Sequence, residues 1–283
     1  MENIRKNLKV ILLAAIVTML VTTLLAGAIM ESAHASTVEP ETVYAPETQP
    51  APPATWPTTV PLTTEKPAVP DSPPLRGDID PSKPMIALTF DDGPSQYTPR
   101  ILDILAQYGA RATFCVVGNR VSARQDTVKR ASDLGCEVIG HSWDHSDLSK
   151  LAPEEIQKEL DDTSAAIEAA TGVRPRLYRP PYGAVNDRVK SVSAASGYAL
   201  ITWTVDPLDW KTRDAAQVCE AILDEAQDRA IVLCHDLYGS TADAMERVVP
   251  ELLSIGYQLV TVSELMYYSD KTLEAGAVYN SGR

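Results

Sequence analysis

Positive charge, cysteine and histidine are all in short supply in this chain of 283 residues. Lys and Arg number 25 against 38 Asp and Glu, for a net charge of −13. An acidic surface has little to offer a phosphate backbone, so nucleic acid is excluded as a partner. The four cysteines are Cys115, Cys136, Cys219 and Cys234, and none of their spacings is diagnostic of a disulfide framework or a metal knuckle. Cys115 and Cys136 fall in or beside expected strands, where buried free thiols are favoured over a 115–136 bridge. No internal repeat is apparent. Of the four histidines, His34 stands near the N-terminus and only three remain for the rest of the chain.

Charge of either sign is missing from the 21 residues between Lys9 and Glu31, which are rich in Leu, Ile, Val and Ala. At about 1.5 Å rise per residue this is enough helix to cross a hydrocarbon core of roughly 30 Å. Arg5, Lys6 and Lys9 precede it, so the positive-inside bias directs the C-terminal side of this stretch out of the cytoplasm. Ala33-His34-Ala35 also reads as a cleavage signature. Residues 1–35 are therefore either a retained membrane anchor or a signal peptide removed on secretion to the cell wall, and both readings export the rest. Between Glu39 and Pro84 lie 13 of the 21 prolines, among Thr, Ala and scattered acids. That composition cannot bury enough surface to offset its ordering entropy, so 36–83 is expected to be a disordered, partly polyproline II linker.

From Met85 onward short apolar runs alternate with amphipathic stretches. Strands are expected at 85–90, 112–117, 136–140, 176–179, 199–205, 230–234 and 257–262. Helices are expected near 98–108, 120–134, 153–170, 186–196, 214–227 and 241–255. Strict alternation implies an α/β domain over 84–268 with a parallel sheet, open or closed into a barrel, and leaves 269–283 as a polar tail. In such folds functional residues stand just after the strand C-termini.

Five polar motifs occupy those places. Thr89-Phe90-Asp91-Asp92-Gly93-Pro94 sets two carboxylates side by side, an arrangement that costs repulsion unless something positive compensates it. His141-Ser142-Trp143-Asp144-His145 puts two imidazoles four residues apart, able to converge on one ion. Two His with one Asp is a donor set suited to zinc, with positions left open for water and substrate. Arg179-Pro180-Pro181-Tyr182-Gly183 fixes a loop whose arginine can pair with Asp91 or Asp92. Asp206-Pro207-Leu208-Asp209-Trp210 brings an acid and an aromatic to the same rim. In Leu233-Cys234-His235-Asp236 the histidine reads as a third ligand, a structural residue or a general acid.

This ordered set resembles the five motifs of the NodB-type polysaccharide deacetylases, carbohydrate esterase family 4, over residues 85 to about 265. The resemblance implies a distorted (β/α) barrel of about seven parallel strands. It implies Asp92, His141 and His145 as ligands of a divalent metal, Zn²⁺ with Co²⁺ as an alternative, and Asp91 as catalytic base oriented by Arg179. It implies His235 as general acid tuned by Asp206, the Tyr182 backbone N–H at the oxyanion, and Trp210 with Leu233 around the acetyl methyl. The expected activity is hydrolysis of N-acetyl groups from amino sugars of peptidoglycan or chitin-type oligosaccharides, by a monomer whose partner is the glycan. The alternatives are an O-acetyl esterase acting on a substrate such as xylan, and a glycan-binding module without turnover.

Overall fold

The computed structural model describes residues 74–283. The expected leader at 1–35 and the expected linker as far as residue 73 lie outside the described residues. Among the described residues no helix is long and apolar enough to cross a membrane.

Strand β1 (Met85–Asp91) is buried along its whole length, as a central parallel strand must be when both its faces are covered. Its alternation divides two cores. Met85 and Ala87 join Cys115, Ile139, Leu177 and Ile231 on one face, while Ile86, Leu88 and Phe90 pack outward among residues of the surrounding helices. The period of two then sends Thr89 and Asp91 to the same side as Met85 and Ala87.

The chain continues through α1 (Thr98–Tyr108), β2 (Thr113–Val116), α2 (Gly118–Val121), α3 (Gln125–Asp133), β3 (Glu137–Gly140) and α4 (Pro153–Thr171). It then forms β4 (Leu177–Tyr178), α5 (Asp187–Ala195), β5 (Ala199–Ile201), α6 (Asp209–Thr212), α7 (Ala215–Glu225) and β6 (Ala230–His235). The last elements are α8 (Gly239–Ser254), β7 (Gln258–Leu259), α9 (Val262–Tyr267) and β8 (Val278–Tyr279). The sheet runs β6-β1-β2-β3-β4-β5-β8, with β7 beside the start of β1, and all of these strand pairs are parallel. Its two ends meet where Val205 bridges Val232 and where Ser281 bridges Ala230, giving the distorted barrel that the motif order implied.

All seven expected strands are present, the one expected at 257–262 cut to Gln258–Leu259 because a helix starts at Val262, and four further expectations are corrected. Residues 269–283 are more than a polar tail, because β8 pairs with β5 and helps close the ring. The expected strand 199–205 stops at Ile201, since the chain there leaves β5 and donates from Thr204 N–H to Ile231 on β6. The expected helix 120–134 is broken at Arg124, whose φ of −140° is not helical. The ordered body also begins before residue 84. Arg76 donates to Glu264 and to the Leu259 carbonyl, and Ile79 is buried. All four cysteines are free and buried, which for Cys115 and Cys136 is the state expected.

Candidate active site

The C-terminal ends of β1, β3, β4 and β6, together with the segment after β5, surround a cavity of about 410 Å³. Asp91, Asp92, His141, His145, Tyr182, Asp206, Trp210, Leu233 and His235, nine of the ten residues singled out in the sequence, line it, and Arg179 lies against it.

Asp91 ends β1 with its side chain buried, and Arg179 Nη1 donates to its Oδ1 at 2.6 Å. Arg179 is itself fully buried; it also donates to Thr89 Oγ1 at 2.6 Å and to the Thr202 carbonyl at 3.1 Å. Burial alone would raise the Asp91 carboxyl, but the Arg179 guanidinium and the nearby histidines outweigh it and hold it below the usual carboxylate range. The Asp91 carboxylate is thereby kept ionised.

Asp92 sits one residue on, in a left-handed turn at φ 71°, and both carboxylates face His141, whose Nε2 is 3.7 Å from Asp91 Oδ2. His145 Nε2 stands 3.0 Å and His141 Nε2 3.4 Å from Asp92 Oδ1. That oxygen is nevertheless buried without a properly formed hydrogen bond. His141 Nδ1 lies 2.6 Å from the Arg179 carbonyl oxygen, which can only accept, so in the neutral ring Nδ1 carries the proton and Nε2 the lone pair. A carboxylate oxygen and an imidazole lone pair facing each other across 3.4 Å repel, and a cation between them removes the repulsion. The three donor atoms lie within 4.8 Å of one another, and oxygen with two imidazoles suits zinc or cobalt. The residues present therefore fit a divalent ion. His141 and His145 also lower the Asp92 carboxyl well below its usual range, against the effect of burial.

On the opposite wall His235 Nδ1 is 2.7 Å from Asp209 Oδ1. Asp209 is fully buried, and its Oδ2 accepts from the His235 N–H at 2.8 Å and from Thr241 Oγ1 at 2.7 Å. Burial would lower the His235 pKa, but the Asp209 carboxylate outweighs it and the pKa rises to about 9. This corrects the expectation that Asp206 tunes His235. Leu208 adopts a left-handed conformation at φ 54°, and the turn carries Asp209 inward under His235. Asp206 lines the cavity but spends its Oδ1 on the Leu208 N–H at 2.9 Å.

Tyr182 is left-handed as well, at φ 62°, with its ring edge-on to His145 at a centroid distance of 4.8 Å. Its backbone N–H has no acceptor among the described residues. Leu233 is buried, whereas Trp210 stays 45% exposed, so one closes the floor of the cavity and the other forms an open lip.

A family profile described as polysaccharide deacetylase matches residues 78–201. The chain is 43% identical over 188 residues to the peptidoglycan-N-acetylmuramic acid deacetylase PdaC of Bacillus subtilis, covering 66% of this chain and 40% of that protein. It thus spans about two fifths of the length of this relative. A solved structure, T48 deacetylase with substrate, is 38% identical with a TM-score of 0.68, over 71% of this chain and all of the other. A family 4 acetyl xylan esterase from Clostridium thermocellum, solved with a cobalt ion, is 32% identical with a TM-score of 0.66, over 70% and 98%. The chain belongs to the polysaccharide deacetylase family.

Three features of this deacetylase fold were missed in the sequence. Trp203 lines the cavity, with the Arg179 guanidinium 5.7 Å from its ring centroid, and was hidden inside an expected strand. Tyr238 lines the opposite side, under the Arg213 guanidinium at 3.6 Å from its ring. Asp236 is a fully buried carboxyl behind the Asp91–Pro94 turn, which burial raises to about 7 against the Thr98 hydroxyl that donates to it. Gly93 is glycine because a Cβ there would stand 2.3 Å from an Asp236 carboxylate oxygen.

Proposed function

We propose that this chain hydrolyses N-acetyl groups on amino sugars of a cell-wall polysaccharide, with peptidoglycan as substrate. The observation that carries the reading is one cavity with a held base on one wall, a held acid on the other, and an Asp-His-His cluster beside the base. The names of the peptidoglycan-acting relatives support the choice of glycan. The xylan esterase relative supports O-acetyl esters as a second substrate class for the same residues.

Asp92, His141 and His145 would hold a divalent ion, which when bound polarises an acyl carbonyl and makes water more acidic. Asp91 Oδ2 takes the proton of the attacking water, while Arg179 keeps Oδ1 occupied and fixes the rotamer. The Tyr182 N–H points its dipole at the developing oxyanion. His235 Nε2 then gives its proton to the departing nitrogen as the C–N bond breaks, because an amide nitrogen leaves poorly without one. Asp209 holds the opposite ring nitrogen and keeps the ring charged beforehand. Leu233 and Trp210 enclose the acetyl methyl. Acetate and a free amine result, with no covalent intermediate.

The leader adds that this chemistry takes place outside the cytoplasm, on a protein anchored in the membrane or released from it. Fractionation with N-terminal sequencing tests that, and mature protein recovered from the cytosol would contradict it. The test of function uses the full-length chain in detergent, with peptidoglycan, chito-oligosaccharides and acetylxylan. Acetate is expected from the first two and is lost on chelation. Release from acetylxylan alone would transfer the assignment to an O-acetyl esterase.

A further inference from the structure

A second cavity, of about 460 Å³, is built partly from loops that also build the first. It falls within the range of small-molecule sites, roughly 300–1,000 Å³. The two cavities share two loops. Asp92 and His235 line the first, while Ser95, Gln96 and Leu237, a few residues further along the same two loops, line the second. The remaining wall comes from Asn119, Arg120 and Arg124, on and just after α2. That segment is tied to the metal-ligand loop, because Gly118 N–H donates to the Ser142 carbonyl and Asn119 N–H to that of Trp143. Arg120 donates to the backbone carbonyl of Asp92, so one arginine touches both the catalytic turn and the second cavity.

The charge of this cavity runs against the rest of the molecule. The chain carries −13 overall, yet the nine lining residues include two arginines and no acid. The Asp92 carboxylate is turned to the other side of the wall, toward His141 and His145. Arg124 is exposed and has no hydrogen-bond or ion-pair partner among the described residues. A free guanidinium fork beside a second arginine is chemistry that recognises a carboxylate through paired N–H···O bonds.

We propose that this cavity is a subsite for a carboxylate on the glycan next to the N-acetyl group being hydrolysed, with Arg124 as its principal contact. The substrate class is an N-acetylated glycan that bears carboxylates along its length, as muramyl strands do and chito-oligosaccharides do not. This rests on the deacetylase reading for its substrate, but not for its binding measurement.

The test uses full-length chain in detergent and three glycans of matched sugar number: a chito-oligosaccharide, a muramyl strand stripped of peptide, and the same strand with its stem peptides. Binding is measured on the Asp91→Asn protein so that the glycans stay intact, and acetate release on protein with Asp91. The carboxylate-bearing strands are expected to bind about 5-fold more tightly than the chito-oligosaccharide, the gain of one partly exposed charge pair. Arg124→Gln should remove that preference and Arg124→Glu reverse it. The preference should also fade toward 1 M salt, where the screening length drops to about 3 Å. Tight binding of the stripped strand assigns the lactyl carboxylate, and tight binding of the stem-bearing strand alone assigns a peptide carboxylate; either supports the subsite. Equal binding of all three glycans, or a preference untouched in Arg124→Gln, overturns it. Should binding discriminate while no glycan yields acetate, the deacetylase reading falls and the subsite stands.

Discussion

Replacing Asp209 by Asn removes the carboxylate that holds the proton on His235 while keeping the shape of the side chain. With Asp209 in place the His235 pKa is about 9; without it burial is opposed only by the charges of Asp91 and Asp92, and the pKa falls toward the ordinary value of about 6.5. At pH 8 the protonated fraction then drops from about 0.9 to about 0.03, a loss of roughly 30-fold in the form able to donate. At pH 6 both proteins are mostly protonated and the difference shrinks to less than about 2-fold. The assay is a pH profile of kcat on an N-acetyl chito-oligosaccharide, repeated with an activated acetate ester whose leaving group needs no proton. The basic limb should move down by at least about two pH units with the amide and matter little with the ester. Asp206→Asn, whose carboxylate serves a backbone N–H, should leave the limb in place. An equal loss at pH 6 and pH 8, or on both substrates, would show that Asp209 merely supports the loop. Stability obeys the same linkage. The folded pKa lies above the unfolded one, so the contribution of the pair is complete below about pH 6.5 and is lost as pH rises through about 9.

Three further outcomes are expected. His141→Ala should abolish tight metal binding and activity together, measured by metal content after gel filtration, and an active chelated protein would refute the ligand assignment. Asp91→Asn should keep the metal and lose kcat by at least about 10²-fold; loss of the metal instead would mean that the two aspartates have been given each other's roles. Gly93→Ala forces a Cβ against the buried Asp236 carboxyl, at a cost of about 1–3 kcal/mol that thermal unfolding would register. An unchanged melting temperature would mean that the turn has room to move.

The strands and the Asp-His-His cluster were readable because each leaves a local trace. Parallel strands buried on both faces appear as apolar runs, and a chain with so few histidines betrays their placement when three of them come directly after strands. The choice between Asp206 and Asp209 was not readable. Both lie in one loop, and what decides between them is a left-handed Leu208, a conformation that a γ-branched residue does not announce. Trp203 was assigned to a strand on its apolar neighbours, whereas the ladder breaks at Thr202 so that Val205 can reach β6. Strand β8 is only Val278–Tyr279, too short to stand out in a polar tail, and takes its register from β5. The second cavity was invisible for a similar reason. Its arginines, with Asn119 and Ala123, lie beyond the end of β2, while its other residues come from the loops after β1 and β6, and no single stretch of sequence holds enough of it to be noticed.

Both ends of the described chain leave the barrel at its base. Arg76 reaches Glu264 in α9 and the carbonyl of Leu259, which pairs with Ile86 near the start of β1, and at the other end Gly282 N–H donates to the Arg229 carbonyl and Arg283 to that of Asp228, just before β6. The catalytic cavity opens at the opposite pole, where the strands finish. A resin or a surface joined at Arg283 therefore grips the barrel from beneath and leaves its mouth turned outward. Long polymers can approach that mouth without first passing the point of attachment.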